Sequence, residues 1–247
     1  MTEEILGRIH SIETCGTVDG PGIRFVVFTQ GCPMRCLYCH NPDSWEMSIN
    51  NENKFSPSEI LKKYEGVKEF CKGGITVTGG EPLVQIDFVT ELFKQALEKG
   101  IHTALDTSGV LFNQDNKSKI DLLLEYTNLV LLDIKHIDDD EHKKLTGHSN
   151  KNILEFARYL SEINKPVWIR HVVVPEITYN ETYLRELGKF LSELKNIKAL
   201  DILPYHNMAI PKYEALGIPY LLKNTKPLSK EEALKARSII IEGMHSN

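Results

Sequence analysis

From residue 23 onward the chain alternates short unbroken apolar runs with stretches whose apolar residues recur every three or four positions. Runs of the first kind suit strands buried on both faces, and stretches of the second suit helices that bury one stripe. Six runs read as strands: IRFVVFT (23–29), GITVT (74–78), HTALD (102–106), LVLLDIK (129–135), VWIRHVVV (167–174) and IKALDIL (197–203). Between them lie helical patterns: SPSEILKKYEGVKEFCK with Ser56 or Ser58 as cap, DFVTELFKQALEKG ending on Gly100, SKIDLLLEY, ILEFARYLSEIN and ETYLRELGKFLSELK. GRIHSIETCG reads as a short strand ahead of the repeat, and SKEEALKARSIIIEG as a closing helix.

This alternation predicts an α/β fold with a parallel sheet of βα units. Six units are too few for a complete eight-stranded barrel. The expected architecture is therefore a partial (β/α)6 barrel, with a mouth wide enough to admit something larger than a metabolite; an open doubly wound sheet is the alternative. No low-complexity linker or break in composition interrupts the pattern, so a single domain over 1–247 is expected, with a core at about 16–206 and a helical closing segment at about 207–247.

Composition narrows the class of partner. Hydrophobic residues make up 41% and charged residues 26% of the 247 positions, as in ordinary soluble domains. A net charge of −5 without a basic stripe argues against nucleic acid. No apolar run is long enough to span a bilayer and the N-terminus has no basic flank before an apolar core, so a cytoplasmic location and no membrane contact are expected. Five cysteines, three of them crowded together, do not resemble a secreted disulfide framework. Cys15 and Cys71 fall outside the cluster and read as small buried or half-buried thiols.

The crowded three, Cys32-x3-Cys36-x2-Cys39, place soft thiolate donors within eight residues. Such donors select zinc or an iron–sulfur cluster, and a cubane normally takes four cysteines. Three would leave one iron open to a small molecule. The competing reading is a Cys3His structural zinc site completed by His40. Neighbouring residues rarely both face one tetrahedral metal, and a second knuckle is missing from the sequence.

Parallel α/β folds place their sites at the carboxyl ends of strands, and the unusual residues of this chain sit there. They are Gln30-Gly31-Cys32, Thr78-Gly79-Gly80-Glu81-Pro82, Asp106-Thr107-Ser108-Gly109, Asp133-Ile134-Lys135, Arg170 with Pro175, and Pro204-Tyr205-His206-Asn207. Each has an ordinary explanation: Gly79-Gly80 as a turn, Lys135 snorkelling, Asp106 as a helix cap, His206 as a surface histidine. One shared site explains all six together.

Cys32-x3-Cys36-x2-Cys39 with Tyr38 before the last cysteine, followed by Gly79-Gly80-Glu81-Pro82, resembles the radical S-adenosylmethionine enzymes. GRIHSIETCGTVDGPGIRFVVFTQGC, CLYCHNPDSW, LDTSG, LLDIK, VWIRHVVVPE and LPYH are similar, within them, to the glycyl-radical-enzyme activating family that acts on pyruvate formate-lyase. The likeness runs from Gly7 to about Leu216. It implies that Cys32, Cys36 and Cys39 hold a [4Fe–4S] cluster whose open iron binds the amino and carboxylate groups of S-adenosylmethionine. It implies further that Tyr38 and His40 meet the adenine, that Gly80 with Gly79 and Glu81 holds the methionine amino group, and that Asp133, Ile134 and Lys135 form the carboxylate and ribose region. Arg170 and His206 would complete that surround. Asp106, Thr107 and Asp133 match a monovalent-cation site, and Asp19 in Asp19-Gly20-Pro21-Gly22 matches a loop that meets the substrate peptide. In this reading Asp19, Lys135 and His206 are the catalytic candidates. The implied reaction is cofactor cleavage to a 5′-deoxyadenosyl radical that takes hydrogen from a glycine Cα of pyruvate formate-lyase under anaerobic conditions. Reduced flavodoxin or ferredoxin is the implied electron donor, and a monomer is expected. Activating enzymes with additional clusters carry a cysteine-rich insert after the first motif, whereas residues 40–73 hold only Cys71. A radical enzyme acting on a small molecule and a non-catalytic zinc-stabilised module are the competing functions.

Overall fold

The computed structural model describes residues 5–47 and 53–246. β1 (Gly7–Gly16) runs antiparallel to β2 (Arg24–Thr29), and the two-residue β3 (Lys54–Phe55) pairs with β1. The repeat continues as α1 (Pro57–Glu65), β4 (Gly74–Gly79), α2 (Ile86–Glu98), β5 (Thr103–Thr107), α3 (Lys117–Glu125) and β6 (Leu129–Asp133). It ends with α4 (Asp139–Thr146), α5 (Lys151–Glu162), β7 (Val167–Val173), α6 (Glu181–Ser192), β8 (Ile197–Pro204), α7 (Ile210–Ala215) and α8 (Lys230–His245).

Hydrogen-bonded neighbours follow the order β3-β1-β2-β4-β5-β6-β7-β8. The pairs β2/β4, β4/β5 and β7/β8 are parallel. Along the six strands of the repeat the order is sequential, without the reversal that defines a doubly wound sheet. The sheet ends at β3 and β8 and does not close, which is the partial barrel expected from six units.

Contacts divide the chain into two compact units. The first comprises Met1–Pro33, Ser44–Thr107 and Leu111–Leu131. In it β2, β4 and β5 are buried on both faces, with Phe25, Val27, Ile75, Val77 and Leu105 inaccessible, as a parallel sheet covered by helices requires. The second comprises Met34–Asp43, Ser108–Val110 and Leu132–Asn247. Its core joins Ile153, Phe156 and Leu160 of α5, Leu187 and Leu191 of α6, and Ile240 of α8 to Ile169 and Val173 of β7.

Three expectations are corrected. The helix after Ser56 stops at Glu65 instead of running to residue 72, because the chain turns there and buries Cys71. α4 interrupts a stretch read as a connection. Cys15 is exposed on β1, whereas Cys71 is fully buried and donates its thiol hydrogen to Thr14 O at 2.9 Å.

Candidate active site

In the first unit the carboxyl ends of β2 and β4 are locked together through backbone. Gly80 N–H donates to Thr29 O at 2.9 Å and Glu81 N–H to Gly31 O at 2.8 Å. An added Cβ would lie 2.2 Å from Thr29 N at Gly79 and 2.2 Å from Gly31 O at Gly80. Gly79, at φ +118°, and Gly80 are therefore glycines because β4 must touch the backbone that leads into Cys32. That entry is held on its other side by Gly31 N–H to Ser44 O at 2.8 Å and Cys32 N–H to Trp45 O at 3.1 Å.

Glu81 is buried; its Oε1 accepts from Leu83 N–H at 3.2 Å and from the Thr107 hydroxyl. Thr78 donates its hydroxyl to Asp106 Oδ2 at 2.8 Å. Glu81, Asp106 and Thr107 are thus brought together across the ends of β4 and β5. Asp19 is not among them. Its loop lies at the amino ends of β2 and β4, where Gly73 N–H donates to Ile23 O at 2.9 Å and Thr76 donates its hydroxyl to Asp19 O at 2.6 Å. The buried Arg24 braces this loop, donating to Thr76 Oγ1 at 2.9 Å and Ile75 O at 2.6 Å. Burial lowers the Arg24 guanidinium to about 10, against the pull of Tyr64 and Asp19. Val18 at the loop tip is 61% exposed.

In the second unit the rest of the cysteine loop hangs on α4. Arg35 N–H donates to Thr146 O at 2.9 Å, Leu37 N–H to Leu145 O at 3.0 Å, and Cys39 N–H to Cys36 O at 3.0 Å. Tyr38 is buried, with Lys135 Nζ 5.8 Å from its ring centroid. Burial raises the phenol well above its usual range, and its hydroxyl has no partner among the described residues. Lys135 pairs with Asp133 at 3.0 Å. Burial opposes both charges, but each favours the other, and Arg170 adds to the hold on Asp133, so the lysine stays protonated and the aspartate ionised. Arg170 Nε stands 3.8 Å from Asp201 Oδ2. Ile134, between the charged pair, faces the core; its N–H donates to Arg170 O at 3.0 Å and its carbonyl accepts from His171 Nδ1–H at 2.7 Å. It anchors its neighbours through backbone.

His40 packs against His206 with ring centroids 4.0 Å apart and the rings tilted by 41°. Burial and the neighbouring His206 push His40 down to about 4, so the pair is neutral at physiological pH. His206 Nδ1 is buried without a partner among the described residues. Sequence reasoning missed the segment after His206. Lys212 reaches Asn41 Oδ1 at 2.8 Å and Asp43 at 3.4 Å. Burial first, then the nearness of Cys39 and Cys36, raises the Tyr213 phenol. Tyr213 packs against Tyr220 with the rings tilted by 55°, and the Tyr220 hydroxyl meets that of Tyr205 at 3.0 Å. The signal available was three tyrosines within sixteen residues after the last strand.

Among the described residues no group of three His, Cys, Asp or Glu side chains is gathered for a metal ion, so the fit of a cluster rests on the donor set. That set suits one: three thiols free of disulfides on one short loop. In the second unit, which holds Cys36 and Cys39, the Tyr38 phenol and an imidazole nitrogen of His206 are buried with no partner among the described residues.

The description of the Radical SAM superfamily matches residues 26–187. The fold is similar to that of Streptococcus suis SuiB bound to S-adenosylmethionine, with a TM-score of 0.67 at 17% identity over 91% of this chain and 48% of that one. A domain of pyruvate-formate lyase-activating enzyme from Bacteroides vulgatus is also similar, with a TM-score of 0.57 at 24% identity over 69% of this chain and 94% of that one. The chain belongs to the radical SAM superfamily. It is 49% identical over 242 residues to the pyruvate formate-lyase-activating enzyme of Streptococcus mutans, which covers 96% of this chain and 92% of that protein. The Staphylococcus epidermidis enzyme of the same name is 47% identical over 93% of this chain and 92% of that protein. Within the superfamily the chain belongs to the family of the pyruvate formate-lyase-activating enzymes.

Proposed function

We propose that the protein activates pyruvate formate-lyase under anaerobic conditions by placing a radical on a glycine of that partner. The observation that carries this reading is a three-thiol loop in a chain that belongs to this family over nearly its whole length. When bound, a [4Fe–4S] cluster with S-adenosylmethionine would supply the one-electron reductive cleavage chemistry that lets the enzyme remove a hydrogen atom from the partner's glycine. Glycine suits as a target because its Cα is unhindered and the radical is shared with the flanking amides.

The chain's own residues bind and orient. Cys32, Cys36 and Cys39 would hold the cluster. Asp133 and Lys135 present adjacent opposite charges, which complement the carboxylate and ammonium of an amino-acid moiety. Gly79, Gly80 and Glu81 border the amino end, with Ile134 as backbone anchor. Tyr38 and His40 take the adenine, and Arg170 and His206 line the ribose side. Asp106 and Thr107 would hold a monovalent cation, for which the resemblance also names Asp133. Asp19, on its braced loop, meets the partner peptide. A reduced flavodoxin or ferredoxin delivers the electron, and the protein works as a cytoplasmic monomer.

The test is anaerobic reconstitution, then mixing with pyruvate formate-lyase, S-adenosylmethionine and reductant. The expected outcome is about four irons and four sulfides per chain and a glycyl radical by electron paramagnetic resonance, both lost in Cys32→Ala, Cys36→Ala or Cys39→Ala. Stoichiometric zinc with no iron-dependent cofactor cleavage would sink the reading.

A further inference from the structure

The turn that ends α4 is braced from within. Gly147 closes the helix at φ +80°, its N–H donating to Lys143 O at 2.8 Å. His142 is fully buried beneath that turn and donates Nδ1–H to His148 O at 2.6 Å. Thr146, equally buried, donates its hydroxyl to His142 O at 2.8 Å and accepts His148 N–H at 3.2 Å. A helix end leaves its last carbonyls without intrahelical partners. Here the Leu145 and Thr146 carbonyls are taken by the N–H groups of Leu37 and Arg35, the residues on either side of Cys36.

We propose that His142 is a positioning residue for the iron–sulfur loop. By locking the end of α4 it aims two carbonyls at the backbone flanking Cys36, so that Cys36 and the turn to Cys39 are preorganised for ligation. Preorganised ligands hold a group more tightly because less backbone freedom is lost when it binds. The inference rests on reading Cys32, Cys36 and Cys39 as cluster ligands.

Two pairs of variants test it. His142→Leu keeps bulk but removes the donor, whereas His142→Asn offers an amide N–H near the place of Nδ1–H. Gly147→Ala and Gly100→Ala impose the same left-handed strain, at φ +80° and +70°, with nothing among the described residues within 4 Å of the added Cβ in either case. Only Gly147 belongs to the brace; Gly100 follows α2. The readouts are melting temperature, the rate of iron release to a chelator, and the paramagnetic resonance line shape of the reduced cluster with and without S-adenosylmethionine.

The expected result is similar melting-temperature losses in the two glycine variants, with several-fold faster iron release and an altered line shape only in Gly147→Ala and His142→Leu. His142→Asn should return both readouts toward the parent protein. Parent-like release and line shape in a folded His142→Leu or in Gly147→Ala overturn the proposal, as does an equal effect of Gly100→Ala. If His142→Leu does not fold, the glycine pair decides. A parent protein that binds no iron overturns the cluster reading itself, which separates the two failures.

Discussion

Lys135 and Asp133 show how single residues acquire a function. In sequence they are a lysine two positions after an aspartate; in the second unit they are a 3.0 Å ion pair beside a buried phenol. Lys135→Ala leaves Asp133 in that setting without its partner, so cofactor affinity and every later step fall together, with a stability loss of about 2 kcal/mol or more. Asp19→Ala acts elsewhere, because its loop lies at the amino ends of β2 and β4. S-adenosylmethionine cleavage without the lyase should survive in Asp19→Ala while glycyl-radical formation falls severely, since a misplaced glycine Cα loses near-attack geometry. Assays of 5′-deoxyadenosine release and radical yield on both variants separate the cases. Equal losses of the two activities in Asp19→Ala would move that loop into the cofactor surround. The strand-end residues were legible because chemistry-bearing types ended every apolar run. Tyr213 and Lys212 were not, since nothing local distinguishes a tyrosine that covers a cysteine loop from one in a core.

At the scale of elements, periodicity located the strands of the repeat to within about two residues and found the helices between them, apart from α4. α4 was missed because Asp-Asp-Glu-His-Lys-Lys-Leu-Thr carries few apolar residues, though its ends were marked: Asp138 accepts Glu141 N–H at 2.9 Å and Gly147 closes it. The Gly79-Gly80 pair could be read either as a turn or as ligand contact; the structure shows a third use, backbone against backbone. Gly79→Ala combines positive φ with a Cβ placed 2.2 Å from Thr29 N, an atom that cannot swing away. A loss of at least about 3 kcal/mol is expected, read by denaturant melts of the apo-protein. A parent-like midpoint would show that β4 can retreat from the cysteine loop entry.

At the scale of the molecule, burying neutral histidines ties stability to pH. Burial lowers His142 and His171 to about 4 from an unfolded value of 6.5, and lowers His136 in the same direction. Well above pH 6.5 these rings are neutral whether the chain is folded or not. As pH falls from 6.5 toward 4 the unfolded chain takes up protons that the folded one refuses, so stability is lost on the acid side. Between pH 7.5 and 5.5 the loss from His142 and His171 together should be roughly 3 kcal/mol, measurable by urea unfolding at both values. A flat midpoint across that range would mean that these rings are solvated. The sequence by itself determined the class of sheet, the number of βα units and the three-thiol loop, because apolar period and ligand spacing are properties of neighbours along the chain. Only tertiary structure decided that the Asp19 loop sits at the amino ends of its strands, that His142 locks the helix end holding the backbone beside Cys36, and that Lys135 keeps its charge. Each of these depends on which distant backbone groups meet and on how far water is excluded, which no local pattern records.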